Sequence, residues 1–112
     1  MMDVKYERSG CKQFFKKHRD DEKTIKGCIE NALNLQLETG MSKVKRAVSA
    51  RVDGQCVYEC RINLKRTGSA RVAFIVNEND NNIDVLFISS VLQKDEFTHM
   101  LERNLKEAGL CD

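Results

Sequence analysis

The stretch Cys56-Val57-Tyr58-Glu59-Cys60-Arg61-Ile62-Asn63-Leu64 changes character at nearly every step. Read as an extended backbone, it sends Cys56, Tyr58, Cys60, Ile62 and Leu64 to one face. Val57, Glu59, Arg61 and Asn63 go to the other, because successive side chains of a strand point to opposite sides. Upstream, residues 47–52 read as a strand, and Asp53-Gly54 between the two is a tight-turn signal. Downstream, residues 65–70 contain Gly68 and read as a loop, and residues 71–76 as the next strand. Residues 77–82 are a polar turn, and residues 83–88 the last strand. The expected sheet is an antiparallel meander of four strands. If Asn63 faces Arg71, then Tyr58, Cys60 and Ile62 share a face with Val72, Phe74 and Val76. Glu59, Arg61 and Arg71 then gather on the opposite face with Ala73 and Ile75, joined by Leu86 and Ile88. A slip of one residue turns one strand over against its neighbour, so the register that unites the apolar residues is preferred.

Before residue 40 the period is helical. Cys11, Phe14, Phe15 and His18 fall at i, i+3, i+4 and i+7. Ser9 is a candidate N-cap, and Lys16, Lys17 and Arg19 suit the negative end of a helix. Asp20, Asp21 and Glu22 suit the start of another, whose stripe is Ile25, Cys28, Ile29, Ala32 and Leu33, with Gly40 as its stop. Residues 10–37 therefore read as a helical hairpin or one bent helix, and residues 4–7 as a candidate short strand. Residues 95–108 form a last helix with Phe97, Met100, Leu101 and Leu105 on one side. That stripe covers either the second sheet face or a partner protein. The expected fold class is α+β: an N-terminal helical hairpin packed on a four-stranded antiparallel meander, with a C-terminal helix, in one domain over residues 1–112.

With 112 residues, 41% of them apolar and 32% charged, the chain has the means to build a core and lies far from the composition of disorder. There is no proline, which excludes polyproline ligands and proline-rich linkers. Mean hydropathy is −0.50, and no apolar run approaches the roughly 20 residues of a membrane span. The N-terminus lacks the apolar segment of a signal peptide, so a soluble, cytoplasmic protein is expected. The five cysteines are scattered without a Cys-x-x-Cys pair, and they read as small apolar residues in a reducing compartment. Charge is segmental: residues 1–40 carry net +1, residues 41–71 net +6 and residues 72–112 net −5. A basic middle in a nearly neutral chain points to a local anionic partner.

No phosphate-binding loop, dinucleotide fingerprint, zinc-protease helix or calcium loop is present, and there are only two histidines, His18 and His99. Neither a metal nor a cofactor is expected. The positive signal is the set Glu59, Arg61 and Arg71. Two guanidiniums on one sheet face make a phosphate site, being planar, always charged and bidentate. The competing reading is a surface ion pair between Glu59 and an arginine, which is common and individually weak. Lys43, Lys45, Arg46, Lys65 and Arg66 are candidate RNA-backbone contacts by charge and proximity to these strands.

The phrases Val57-Tyr58-Glu59-Cys60-Arg61-Ile62 and Ala70-Arg71-Val72-Ala73-Phe74, with Phe14-Phe15-Lys16-Lys17 upstream, resemble the conserved strands and first helix of the RelE/ParE superfamily of bacterial toxins. The resemblance spans roughly residues 4–90. It implies a toxin paired with an antitoxin protein, acting either as an endoribonuclease on mRNA at the ribosome or as an inhibitor of DNA gyrase. A non-catalytic RNA- or protein-binding member is the third possibility. For a ribonuclease it implies that Arg61 and Arg71 hold the scissile phosphate, with Glu59 as general base or as the orienter of an arginine. The chain departs from that pattern at the end of its last strand. Ribonuclease members usually carry a basic residue or tyrosine there, whereas this sequence has Phe87-Ile88-Ser89-Ser90, with Lys94 and His99 following later.

Overall fold

The computed structural model describes residues 1–111. The alternating stretch becomes β3 (Gln55–Asn63), and Asp53-Gly54, both at positive φ, close a two-residue hairpin onto β2 (Lys45–Val52). A short 3-10 turn at Lys65–Thr67 leads to β4 (Ser69–Asn77), and β5 (Asn82–Ser89) completes the meander. Before these lie β1 (Asp3–Tyr6), α1 (Arg8–Lys17), a 3-10 turn at Arg19–Asp21 and α2 (Glu22–Glu38). The chain ends in α3 (Lys94–Glu107). Among the described residues, no helix is long and apolar enough to cross a membrane.

The sheet has five strands in the order β1-β5-β4-β3-β2 and is mixed, because β1 runs parallel to β5 from Asp3 opposite Asn82 to Tyr6 opposite Val85. This overturns the expectation of four antiparallel strands headed by a helical hairpin. The chain starts with a strand, and that strand satisfies the backbone groups that β5 would otherwise expose as an open edge. Nor do α1 and α2 sit on the sheet as one hairpin. The first lies along β5 and reaches α3, while the second lies over β3. Asn34, buried on α2, fixes the start of β1. Its amide accepts from the Met2 N–H at 2.9 Å and donates to the Met2 carbonyl at 3.2 Å, as a neighbouring strand would.

Two apolar layers enclose the sheet. On one face Cys60, Ile62, Val72 and Phe74 meet Phe14 and Phe15 of α1 and Ile25, Ile29 and Leu33 of α2. On the other, Val57, Ala73, Ile75 and Leu86 meet Phe97, Leu101 and Leu105 of α3. The stripe of the last helix thus covers this chain's own sheet.

The pairing of β3 with β4 places Arg61 opposite Arg71 and Asn63 opposite Ser69, two residues from the expected register. The tight loop explains the shift: Gly68, at φ 91°, returns its carbonyl to the Leu64 N–H at 2.8 Å, so β4 starts at Ser69. A shift of two preserves side-chain direction, and both faces keep the expected members. The last strand does not. A bulge at Leu86, where Ala73 faces Phe87 and Phe74 faces Val85, breaks its alternation. Leu86 stays on the α3 face as expected, but Ile88 moves to the α1–α2 face beside Val72. Ser9 is not the N-cap of α1: the helix starts at Arg8 with Glu7 as its N-cap, two residues earlier than expected. Gly40, at φ 81°, ends α2 as expected, and the Met41 N–H returns to the Gln36 carbonyl at 2.7 Å.

Burial pushes the thiols of Cys11 and Cys60 up from 9.0 to about 12. An elevated folded-state value means that the folded protein keeps a proton which the unfolded chain releases. The contribution is full below about pH 9 and is lost as pH rises toward about 12. Urea midpoints should therefore fall between pH 9 and 11, each thiol adding a slope of about 1.4 kcal/mol per pH unit. Cys60→Ala should flatten that slope, and an unchanged pH dependence in the variant would refute the assignment. Dithionitrobenzoate should label Cys111 within the folded protein and reach Cys11 only on unfolding, since Cys111 is exposed and Cys11 is buried.

Candidate functional site

Lys45 at the start of β2 faces Glu59 across the β2–β3 ladder, and Glu59 in turn faces Ala73. Two residues further along β3 and β4, on the same face, Arg61 and Arg71 face each other directly. Like charges directly opposite are destabilising, yet here both line a recess of about 210 Å³. Lys43 and Lys45 enter from the β2 side, and Lys94 enters from the first turn of α3. Five cations thus surround one carboxylate.

That carboxylate is already engaged. Glu59 is 2% exposed, and its Oε1 accepts from Arg71 Nη1 at 2.9 Å. The Arg71 Nε donates to the Leu92 carbonyl, so the guanidinium is held at two points between the sheet and the linker into α3. The other carboxylate oxygen, Oε2, is buried and has no hydrogen-bond partner among the described residues. Glu59 therefore orients Arg71 and presents no open oxygen to a solute. Arg61 is exposed, and among the described residues Lys43, Lys45, Arg61 and Lys94 make no ion pair. Cys60 lies beside the recess, but desolvation by burial keeps it a protonated thiol at neutral pH and not a nucleophile.

The three residues singled out as the chemical core, Glu59, Arg61 and Arg71, come together on one face, as do two of the five RNA-contact candidates, Lys43 and Lys45. The other three lie elsewhere. Arg46 faces Tyr58, and its guanidinium donates to the carbonyls of Val48 at 3.2 Å and Ser49 at 2.9 Å. It satisfies the carbonyls of an irregular stretch where β2 slips against β3 between Arg46 and Arg51. Arg66 donates from Nε to Asp21 at 2.9 Å and holds that carboxyl below the usual carboxylate range. Lys65, exposed on the same 3-10 turn, lies outside the recess. Lys94 is the member that sequence reasoning left out. The sequence showed it only as a basic residue after the last strand, just before the helix expected at residues 95–108, and α3 in fact begins with it.

His18 packs on the Phe14 ring at 4.6 Å, and Tyr58 leans on Phe74 at 5.9 Å, so both serve the core side of the sheet. The arrangement has the chemistry to hold an anion: a fixed guanidinium, a free guanidinium and three ammonium groups line one small recess. No protein-family model, curated protein or solved structure matches the chain.

Proposed function

We propose that the protein is a toxin of a toxin–antitoxin pair that acts on RNA as a metal-independent endoribonuclease, with mRNA at the ribosome as its substrate. The observation that supports this most directly is the recess in which Arg61 faces Arg71 among Lys43, Lys45 and Lys94. A phosphodiester placed there resolves the repulsion between the two guanidiniums and gains charge-assisted hydrogen bonds. In RNA cleavage the ribose 2′-hydroxyl attacks the adjacent phosphorus and the 5′-oxygen leaves, giving a 2′,3′-cyclic phosphate and a 5′-hydroxyl end. The 2′-proton passes to solvent, and the leaving oxygen takes one from a neighbouring ammonium or water. Negative charge accumulates on the phosphate oxygens in the transition state, where a preorganised pair of arginines stabilises it. Glu59 acts through Arg71 as a positioning residue.

A second reading, a non-catalytic RNA-binding protein, has an observation in its favour. Glu59 is sealed, and β5 ends in Ser89 without adding a titratable side chain to the recess. One experiment separates the two. Purified protein is incubated with mRNA on programmed ribosomes and with the same RNA free in solution, the free RNA also in a chelator, and binding and cleavage are scored separately. Fragments ending in 2′,3′-cyclic phosphate support the ribonuclease reading, with Arg61→Ala lowering the rate at least about tenfold, or 1.4 kcal/mol. Salt-sensitive binding without cleavage selects the second reading. Growth arrest with gyrase-dependent DNA breaks and no RNA binding overturns both. Lys45→Ala should weaken RNA affinity modestly and without sequence preference. Arg46→Ala should leave it unchanged, because that guanidinium is spent on β2 carbonyls.

A further inference from the structure

A second concavity, of about 500 Å³, opens between α1 and α2 on the other side of the molecule's fold from α3. Its floor is apolar. Tyr6 and Phe15 meet edge to face with ring centres 5.4 Å apart, and Cys11 lies between the strand and the helix at 1% exposure. Its rim is cationic. Arg8, Lys12 and Lys16 line one wall at successive spacings of four residues along α1, a placement in which like charges weaken a helix. Arg19 and Lys26 line the opposite side. The lone carboxylate of the rim, Glu22, is paired with Lys26 at 3.1 Å. The Lys26 ammonium rests 5.2 Å from the Tyr6 ring centre and 5.0 Å from that of Phe15, so a body seated on the two rings must swing it out toward the rim. The first turn of α1 holds no acidic residue; Glu7 stands before it as the N-cap, and Glu30 accepts from the Tyr6 hydroxyl at 3.2 Å below the rim.

Charge and shape together restrict the occupant. A neutral apolar molecule leaves the rim repulsion in place, and a bare inorganic anion leaves the aromatic floor unused. A nucleic-acid backbone needs the cations but not a concave apolar floor. The volume lies within the range of small-molecule sites. We propose that this cleft binds a small amphipathic anion: an aryl or medium-chain alkyl body on Tyr6 and Phe15, with a carboxylate, sulfonate or phosphate head held by Lys12, Lys16 and Lys26. The proposal is independent of the RNA reading, which uses the other face of the sheet.

The test uses the full-length folded protein and 8-anilino-1-naphthalenesulfonate as the probe. Expected is saturable fluorescence enhancement at one site, displaced by decanoate and by decyl phosphate but not by inorganic phosphate or decyltrimethylammonium. A Lys12→Glu/Lys16→Glu variant, checked for native circular dichroism, should bind the probe at least tenfold more weakly. A Lys12→Gln/Lys16→Gln variant serves if the first does not fold. Arg61→Ala should bind it as the unaltered protein does. Non-saturable enhancement, displacement by the cationic detergent, an unchanged affinity in the folded lysine variant, or displacement by RNA or an acidic peptide but not by decanoate would each overturn the proposal.

Discussion

Gly10→Ala is expected to lower the folding stability by at least about 3 kcal/mol, read from urea unfolding, or to leave no folded protein. On an ordinary helix the same change stabilises by up to about 1 kcal/mol, because glycine is the poorer helix former. The sign reverses here because α1 rests on β5 at this residue. A Cβ on Gly10 would lie 1.8 Å from the Leu86 carbonyl oxygen and 3.0 Å from the Phe87 Cα. Those are backbone atoms of a strand paired on both sides, so they cannot swing away as a flexible side chain would. The contact also sits at the bulge, where the displaced backbone of β5 meets the helix. A control at Gly27, where nothing lies within 4 Å of the added carbon, should be neutral or stabilising. A Gly10→Ala protein as stable as the parent would show that α1 does not approach β5 this closely.

Arg71→Ala is expected to cost about 3–5 kcal/mol, more than any loss of surface charge, since it leaves the Glu59 carboxylate buried without a partner. The guanidinium is 20% exposed and its carboxylate partner 2%. The double variant Glu59→Leu/Arg71→Met should recover most of that stability, because replacing a buried pair by apolar groups of similar size is often neutral or favourable. Failure of the double variant to recover would mean that Arg71 stabilises mainly through its bond to the Leu92 carbonyl. Of the two arginines, Arg61 alone is exposed. A fall in RNA cleavage by Arg71→Ala thus measures folding and chemistry together, and Arg61→Ala is the variant that isolates the phosphate contact.

The alternation from Cys56 to Leu64 made the two faces of β3 legible, and their membership survived an error in pairing because the error was even. Asp53-Gly54 announced its hairpin since two adjacent residues at positive φ favour those side chains. The first strand was legible only as a short candidate. Its position depends on a parallel partner at the far end of the chain, which no local pattern reports. Nothing in Val85-Leu86-Phe87 marks a bulge: the displaced residue is an ordinary apolar one, and the glycine that its backbone approaches, Gly10, is on another element. Glu59 read as surface because a carboxylate in a strand usually is, and its burial follows from α3 and the Leu92 carbonyl closing over Arg71. Lys43, Lys45 and Lys94 converge only after β2 and α3 have docked, so their charge was legible but their common direction was not.

The pairing of β1 with β5 also sets an order of events as the chain is made. Residues 3–6 emerge from the ribosome well before their partners, residues 82–85. The same delay applies to Gly10 and Leu86. The β2–β3 and β3–β4 hairpins, joined by short turns, close through local contacts and need no such wait. Long-range closure is slow because the chain entropy is lost before the contacts form. Until β5 is complete, β1 has no partner and the nascent sheet presents an open edge of the kind that promotes association between chains. Refolding of the whole protein should accordingly show the meander protected from hydrogen exchange before the first strand and α1.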